Sequence, residues 1–488
     1  MYKLLPEDLV NEMIEAACKI AIKNGLKTRN YDLLRKAASV ELLLVKNGRI
    51  YPSVEAIDAC LTHIKDNLVP DGDVNGNHHG WKDMIVNHFP GKKIIIRLTD
   101  LPYQLCDYKA RQIVPLTRKH VVEGTKLMHV LSEKYGVMGY TCGVPQDTAG
   151  PLKAIEQYII GFRYNRNGGG TIQSVDTALE DGFSKIRAIS EDWVNPDERS
   201  LMLFSSSPLV LDSEDLYLFF KPGIRITDFM VGSMPMMGMT GPVDPVGVYI
   251  VGLAEVLGGA AVLHALFPEA KVYVYPHPQA MDLRSGHMAF GTVEHARLEM
   301  IKMQVMKALN LPYYNLKDIM TSAQMPGSTA QGDKALGFFT GLMAGYRAFN
   351  LMPLSTDQVW SPVQALLDVR ALKDAWESIQ PVEGSEAVSR ATGTIDEVIK
   401  NNCFFAETAD TLMNMKLNYQ SEVLLRRFQT SETWQNAGQP EELDAVEQTR
   451  AELVAQWDFN PPLDKLQKIM DIYHKLCNSF NIEPLKID

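Results

Sequence analysis

Alternation between apolar strand patterns and helical patterns dominates the middle of this 488-residue chain. Short apolar runs at residues 92–98, 200–209 and 270–278 are each followed by a longer segment with apolar residues at helical spacing. Several runs are apolar at nearly every position, as expected for parallel strands that are covered on both faces. Repeated β–α units over roughly 270 residues predict an α/β fold, namely a (β/α)8 barrel of the TIM type, with a doubly wound sheet as the alternative.

The segments on either side of this alternation are predominantly helical in pattern. We predict an N-terminal helical cap over residues 1–90, the barrel catalytic core over 91–355, and C-terminal helices packed on the barrel over 356–488. The first 26 residues form an amphipathic pattern without the features of a signal peptide. The most apolar stretch, residues 245–266, is interrupted by Glu255 and glycines, so no membrane span is expected.

Charge and cysteine usage narrow the classes of function. The net charge of -11 and pI of about 5.6 argue against a nucleic-acid binder, which needs a basic face for phosphates. Six cysteines are scattered without CxxC spacing, which indicates reduced thiols in the cytoplasm and neither a disulfide framework nor a zinc site.

The active site of a TIM barrel lies at the C-terminal ends of its strands. The residues near the predicted strand ends are Tyr140, Cys142, Ser205, Ser206, Ser207, Asp228, Phe229, Met234, Met236, Met237, Tyr275 and His277. The long loop over 277–291 adds Asp282, Arg284 and His287. Long loops of this kind are functional more often than short connections are.

Three familiar chemistries receive little support from the motifs. His277, His287 and His295 lack a metal-ligand spacing, and the histidines within 78–88 are expected to be structural. The glycine-rich stretch 165–171 lacks the phosphate-binding pattern and is predicted to be a flexible turn or a lid over the barrel mouth. The serines at 205–207 lie in no GxSxG elbow.

A site for a cation is the remaining candidate. Aromatic side chains near the predicted strand ends or the late helices are Tyr140, Phe229, Tyr275, Phe338, Phe339, Tyr346 and Trp360. Aromatic faces attract quaternary ammonium groups, and Arg284 can bind a carboxylate on the same ligand. Each aromatic residue taken alone is equally consistent with core packing.

The stretch "GMTGPVDPVGVYIVGLAEVLGG" (238–259) resembles a signature of the trimethylamine methyltransferase superfamily. "MDLRSG" (281–286), "GTVEHA" (291–296), "NLPYY" (310–314) and "SSSPL" (205–209) resemble further family segments in the same order. The likeness covers about residues 5–380, and the ordered set carries it, since no single motif is specific. The segments 321–336 and 164–170 depart from the family pattern, and no pyrrolysine is present, which points to the non-pyrrolysine branch.

The resemblance implies transfer of a methyl group from a quaternary amine to the Co(I) corrinoid of a partner corrinoid protein. The implied substrates are glycine betaine, proline betaine, carnitine and γ-butyrobetaine. The chain itself would bind no cofactor, and the cobalamin-type corrinoid would pass the methyl group to a tetrahydrofolate or coenzyme M methyltransferase. No metal, nucleic acid or membrane is expected as a ligand, and a homo-oligomer is possible through the C-terminal helices.

On this reading the candidate site residues fall into three groups. The predicted substrate-binding residues are Tyr140, Phe229, Tyr275, His277, Arg284, Phe339, Tyr346 and Trp360. The predicted corrinoid-facing residues are Met234, Met236, Met237 and Thr240, although methionines can equally fill an irregular core. The predicted supporting residues behind them are Asp228, Glu255 and Asp282. The alternatives in function are a methyltransferase for another methylated amine and a non-catalytic betaine-binding barrel.

Overall fold

The structure, a computed structural model, describes residues 3–66, 94–170, 175–191, 195, 197–309, 316–380, 387–418 and 430–485. The helices are α1 (Glu7–Asn24), α2 (Tyr31–Ala37), α3 (Val54–Asp66), α4 (Arg118–Tyr135), α5 (Lys153–Tyr164), α6 (Glu180–Ser190), α7 (Pro245–Leu266), α8 (Val293–Ala308), α9 (Ser328–Ala344), α10 (Pro362–Ser378), α11 (Ala387–Asn401), α12 (Ala409–Asn418), α13 (Ser431–Asn436), α14 (Glu442–Val454) and α15 (Leu463–Phe480). The strands are β1 (Leu26–Lys27), β2 (Leu43–Lys46), β3 (Arg49–Pro52), β4 (Ile95–Leu98), β5 (Gln104–Asp107), β6 (Gln112–Pro115), β7 (Val137–Met138), β8 (Glu198–Ser205), β9 (Arg225–Ser233), β10 (Lys271–Pro276), β11 (Met281–Asp282), β12 (His287–Met288), β13 (Leu316–Ile319), β14 (Ala348–Leu351) and β15 (Val359–Trp360).

Seven parallel strands alternate with helices and form two sheets. The order in one sheet is β13-β14-β4-β7, and in the other it is β10-β9-β8. The α/β prediction is therefore confirmed. Within the described residues β7 does not pair with β8, nor β10 with β13, so these strands do not form one continuous barrel sheet.

Helices cover one face of each sheet because alternate strand residues are apolar and buried. On β9, Phe229 packs edge-on against Phe219 of the 3₁₀ helix Glu214–Phe220. Val231 lies against the Cα of Gly259 on α7, whose absent side chain leaves room for the strand. We call this helix-covered side the outer face and the opposite side the inner face.

Helix α7 is the central core helix of the molecule. Asp244 caps its N-terminus by accepting a hydrogen bond from Gly247 N, and Pro245 occupies the first turn. Its length and apolar composition alone would allow it to cross a membrane, but 78% of its most apolar window is buried inside the molecule. It packs against β9, β10, α1 and α3, as the core helix of a globular protein does.

The N-terminal cap is not wholly helical, since it also contains a small sheet. Strands β1, β3 and β2 form an antiparallel sheet beside α1 and α3. Asn47 and Gly48 connect β2 to β3, both with positive φ, as a tight hairpin turn requires. The predicted boundary near residue 90 lies outside the described residues, as do the histidines within 78–88 and the stretch 310–314.

The C-terminal helices divide into a packed group and an exposed group. Helix α15 packs on α6, and α14 packs on α10 and α4. The segment with α11 and α12 instead exposes many large apolar side chains, including Ile399, Phe404 and Leu412. Helix α14 contributes the buried side chains of Val446 and Leu453 to this packing.

Candidate active site

Half-buried side chains line the inner face of the sheets. Along β8 and β10 every second residue is buried against the helices, and the residues between them keep partial exposure. These inner-face residues are Met202, Phe204, Tyr273, Tyr275, Asp318 and Asn350. Since sheets in α/β proteins are normally covered, a partly exposed inner face indicates space for a ligand.

A carboxylate joins the two sheets on the inner face. Asp318 of β13 accepts a hydrogen bond from Asn350 Nδ2 of β14 at 2.8 Å. Its other oxygen accepts from the Tyr275 hydroxyl of β10 at 3.3 Å. The side chain of Asp318 keeps 13% of its surface exposed, so a negative charge lies beside an aromatic ring. This combination attracts an organic cation.

Behind this carboxylate, a buried ion network fills the space where β10 and β13 do not pair. Glu299 Oε1 of α8 lies 2.9 Å from Lys302 Nζ, and its Oε2 lies 3.8 Å from Lys317 Nζ. Lys302 Nζ also lies 3.1 Å from His277 Nδ1. All four side chains are at least nine-tenths buried. Side-chain charges therefore join the two sheets here in place of backbone hydrogen bonds.

The network fixes the protonation of His277. Burial and then the Lys302 charge lower its pKa to about 4, so the ring is neutral at pH 7. Because an ammonium group only donates, Nδ1 accepts from Lys302 and the ring proton lies on Nε2. That nitrogen faces Asp318 Oδ2 at 3.5 Å. His277 therefore orients the inner-face carboxylate and also stacks on Tyr275 with ring centroids 4.9 Å apart.

The remaining ionisable groups of the network divide the charge unequally. Burial would raise the pKa of Glu299, but Lys302 and Lys317 hold it far below its usual range. Burial lowers the pKa of Lys317 to about 8. Two lysine side chains thus surround the one buried carboxylate of Glu299.

A second cluster lies across the sheet on β4. Arg97 is 8% exposed and stands in register with Asn350 on one side and Met138 on the other. Its charge acts on the Asp100 carboxyl and the Tyr140 hydroxyl. Burial raises the pKa of Tyr140 to about 12, so this phenol stays protonated.

The described part of the glycine-rich stretch, residues 165–170, lies against Tyr140. A side chain at Gly170 would meet the Tyr140 ring at 2.4 Å, so glycine lets the backbone lie on that ring. Asn165 Nδ2 anchors the stretch by donating to the Gly139 and Tyr140 carbonyls, at 2.7 and 2.9 Å. Among the described residues no cluster of three metal-ligating side chains occurs.

The methionine stretch forms a loop at the end of β9. Met236 N donates to Thr240 Oγ1 at 2.8 Å, and Met237 N donates to the Gln279 carbonyl at 3.0 Å. Met234, Met236 and Met237 are half-buried, whereas Met239 is 59% exposed. The adjacent loop over 277–292 carries Leu283, 56% exposed, which packs over Gly238. Together Met239, Val243 and Leu283 form an apolar surface that we call the rim patch.

Glu255, predicted as a supporting residue, holds two strand ends together. Its carboxylate accepts from the Ser207 hydroxyl at 2.8 Å, from Leu209 N at 2.8 Å, and from the Ser233 hydroxyl. Burial raises its pKa, and these donors oppose the rise. Glu255 therefore positions the ends of β8 and β9 and does not reach the inner face.

Several predicted site residues are not brought to the inner face, and the reason in each case is strand or helix phase. Phe229 points outward into the core, because its neighbour Asp228 takes the inner side. Tyr346 is fully buried with its hydroxyl on the Glu299 carbonyl at 2.6 Å. Trp360 packs beside Gly124 of α4. Phe339 is 47% exposed on α9, so the predicted aromatic cage is not assembled from these rings.

The predicted charged residues also need correction. Arg284 is 92% exposed and pairs with Asp282 of its own loop at 2.9 Å, which lowers the pKa of Asp282 to about 2. Asp228 lies five residues before the end of β9 and accepts from Thr227 Oγ1 at 2.8 Å, so it is far from the strand end.

The sequence reasoning missed Arg97, Asp318, Asn350, Glu299 and Lys302. A charge inside an apolar run was a usable signal, since "IIIRL" and "LKDIM" each place an ionisable residue within a buried strand. A buried charge without a function is costly, so such positions point to a site or a network.

The fold and the residues of the inner face define an α/β protein with a polar and aromatic inner face. Comparison with known proteins identifies the family to which it belongs. The sequence profile of the family "Trimethylamine methyltransferase (MTTB)" matches residues 199–471. The chain therefore belongs to the trimethylamine methyltransferase family, which confirms the resemblance drawn from the sequence.

Individual relatives agree with this membership. The chain is 24% identical over 240 residues to trimethylamine methyltransferase MttB1 of Methanosarcina mazei, covering 49% of this chain and 48% of that protein. It is 23% identical over 266 residues to MttB2 of the same organism, covering 54% of this chain and 52% of that protein. The matches thus span about half the length of these relatives.

Among solved structures, the monomethylamine methyltransferase MtmB of Methanosarcina barkeri covers 99% of this chain and 89% of its own, at 10% identity and a TM-score of 0.44. A TM-score this low does not establish a common fold.

Proposed function

We propose that this protein transfers a methyl group from a quaternary amine of the betaine type to the Co(I) corrinoid of a partner protein. Family membership supports methyl transfer from a methylated amine. The observation that carries the proposal for this chain is the carboxylate of Asp318 beside the Tyr275 ring on a partly exposed inner face.

The inner face is suited to a permanent cation. A ring face binds a quaternary ammonium by about 0.5–2 kcal/mol, and a nearby carboxylate adds Coulombic attraction. Asp318 is held by Asn350, Tyr275 and His277, so its charge is fixed in place. A pre-oriented charge binds a cation without the cost of reorganising the site.

The reaction requires positioning more than acid–base chemistry. The N–CH3 bond breaks with its electron pair left on nitrogen, giving a neutral tertiary amine. Co(I) of the acceptor supplies both electrons of the new bond and becomes Co(III). No proton moves, so no general acid is needed, and the site must align nitrogen, methyl carbon and cobalt with the reacting atoms about 3–3.5 Å apart. Because positive charge leaves nitrogen, very tight cation binding would slow the reaction.

The acceptor fits the rim patch of Met239, Val243 and Leu283. These side chains are 59%, 64% and 56% exposed and lie on the loops that follow β9 and β10. Exposed apolar residues at a loop surface mark an interaction site, and methionine adapts to an irregular partner. The corrinoid supplies the nucleophilic metal, and this chain supplies an apolar surface on which it can dock.

Further parts of the proposal concern architecture and setting. Strands β4 and β14, the first and last of the seven strands in the two parallel sheets, pair with each other, which supports a cyclic (β/α)8 order. We place the chain in the non-pyrrolysine branch, in the cytoplasm, with the methylated corrinoid protein serving a tetrahydrofolate or coenzyme M methyltransferase. The exposed apolar helices α11 and α12 are the candidate surface for a homo-oligomer.

The visible spectrum of the corrinoid tests the proposal. Purified protein is mixed with the Co(I) form of a cognate corrinoid protein and with glycine betaine, proline betaine, carnitine or γ-butyrobetaine. We expect conversion to methyl-Co(III) with at least one of these betaines and none with trimethylamine. Trimethylamine as the only methyl donor would favour a tertiary-amine enzyme. Tight betaine binding without spectral change would favour a binding protein.

Replacing Asp318 by Asn tests the cation site directly. Asn keeps the shape and the contact with Asn350 but removes the charge. We expect the Kd for the quaternary amine to rise by about 10-fold, the weight of one partly exposed charge contact. Calorimetric titration measures it, with the outward Asp244→Asn at the α7 cap as the matched control. An unchanged Kd for Asp318→Asn would remove this carboxylate from the site.

A further inference from the structure

Arg97 is a buried cation with an unsatisfied side chain. It is 8% exposed, and among the described residues its guanidinium takes part in no hydrogen bond or ion pair. Its register with Asn350 places it on the inner face, one strand from Asn350 and two strands from Asp318. Buried charges are normally paired, so an unpaired guanidinium here is expected to receive its partner from a ligand.

The nearest acidic group does not fill that role. Asp100 lies beyond the end of β4, and the described residues offer no hydrogen-bond partner to either of its carboxylate oxygens. Burial raises the pKa of Asp100, and the Arg97 charge only partly opposes the rise. Burial destabilises the charged form of this carboxyl, and no hydrogen bond joins it to the guanidinium, so Asp100 is a poor partner for Arg97. The inner face around Arg97 and Tyr140 therefore keeps a positive charge for an anion.

The inner face thus carries opposite charges at two places. Asp318 with Tyr275 lies on one side and Arg97 with Tyr140 on the other, and Asn350 is in register with both charged residues. The backbones of strands two apart are separated by about 10 Å. Two side chains that point inward from these strands reduce the distance between their charged groups to the length of a small molecule. A compact zwitterion matches this pattern, and a simple cation would leave Arg97 unpaired.

We propose that Arg97 binds the carboxylate of the substrate and so favours zwitterionic amines over simple quaternary cations. This inference rests on the proposed methyl transfer and deepens it by naming the residue that distinguishes a betaine from a plain quaternary cation. A guanidinium is suited to the task because it can donate two parallel hydrogen bonds to one carboxylate. Arg97 replaces Arg284, whose exposed pairing with Asp282 leaves it outside the inner face.

Two substitutions and two classes of methyl donor test this assignment. Arg97→Gln removes the charge, and Arg97→Lys keeps the charge but loses the paired hydrogen bonds. The donors are glycine betaine and tetramethylammonium, which share the quaternary nitrogen and differ in the carboxylate. The matched control is Arg225→Gln. Arg225 is an exposed arginine at the N-terminal end of β9, and it pairs with Glu198.

We expect Arg97→Gln to raise the KM for glycine betaine by about 10- to 100-fold, with a partial effect for Arg97→Lys. Tetramethylammonium kinetics should stay unchanged or improve, and Arg225→Gln should alter neither. The melting temperature of Arg97→Gln should not fall, because an unpaired buried charge is removed. A structural role would instead lower the melting temperature and affect both donors equally.

Other outcomes overturn the assignment without affecting the methyl transfer itself. If Arg284→Gln raises the KM for glycine betaine and Arg97→Gln does not, the substrate carboxylate binds to Arg284 in the loop over 277–291. If Arg97→Gln impairs methyl transfer from glycine betaine and from tetramethylammonium equally, Arg97 does not bind the carboxylate. If the wild-type protein fails to methylate the corrinoid with every methyl donor tested, the proposed function is wrong. Calorimetric binding of betaine to wild type and Arg97→Gln then still tests the carboxylate contact.

Discussion

Three carboxylates illustrate how position decides what the same chemical group does. Glu255 is buried among neutral donors and ties two strand ends together. Glu299 is buried among lysines and joins the two sheets. Asp318 keeps some exposure and can meet a ligand. Sequence alone identified Glu255 through its motif but could not separate the other two, because their roles depend on strand phase and on neighbours distant in sequence.

Removing the carboxylate of Glu255 should destabilise the fold. Glu255→Ala leaves the Ser207 and Ser233 hydroxyls and Leu209 N without their acceptor in a buried site. We expect the free energy of unfolding to fall by about 3–5 kcal/mol. Denaturant titration measures the loss, with the exposed Glu12→Ala on α1 as control. A loss below about 1 kcal/mol would mean that these donors find other acceptors.

The buried histidines make stability depend on acid pH. Burial lowers the pKa of His277 to about 4 and that of His295 to about 3. The unfolded chain takes up protons near pH 6.5 and the folded chain does not, so stability is complete above pH 6.5 and falls as pH drops toward 4. Each histidine should cost about 2 kcal/mol between pH 7 and pH 5.

Unfolding titrations at pH 7 and pH 5 check this dependence. His277→Gln should remove about half of the pH-dependent loss, and the exposed His474→Gln on α15 should leave it intact. If the free energy of unfolding falls equally between pH 7 and pH 5 in wild type and in His277→Gln, His277 is protonated in the folded protein.

At the scale of elements, the packing of α7 depends on glycine. A side chain at Gly258 would lie 2.8 Å from Leu26 Cδ1 and 3.0 Å from Ala21 Cβ, where α1 and β1 meet the helix. Gly258→Leu should therefore separate the N-terminal cap from α7 and cost about 1–3 kcal/mol of stability. Thermal melting measures it.

A matched glycine on another helix should behave in the opposite way. No atom lies within 4 Å of the position of a Cβ at Gly332 on α9, so Gly332→Ala should stabilise by about 0.5–1 kcal/mol. Equal effects at the two positions would show that close packing against α1 is not what requires glycine on α7.

Element type was more predictable than the site. The apolar runs that became β8, β9 and β10 were long enough to be recognised, and the helix that starts after Asp244 carries its cap in the sequence. The strands β13 and β14 were missed, because "LKDI" and "AFNL" are four residues long and interrupted by polar groups. Those polar groups are the inner-face residues Asp318 and Asn350. Their polarity interrupts the apolar pattern, which explains why both the strands and the site were missed.

At the scale of the whole molecule, the proposed function depends on both sheets contributing residues to one inner face. The contacts of Asp318 with Asn350 on one side and Tyr275 on the other cross from one sheet to the other. The ion network around Glu299 supports the same junction from behind. Sequence periodicity predicted the class and five of the seven strands in the two parallel sheets, but it could not predict which ionisable side chains would meet across them.

A crystal structure of the protein with glycine betaine tests the central claim most directly. The account predicts the trimethylammonium group within about 6 Å of the Tyr275 ring and beside Asp318, with the carboxylate on the Arg97 guanidinium. One N-methyl group should point toward the loops that carry the rim patch. Betaine bound elsewhere, with the inner face filled only by water, would contradict the account.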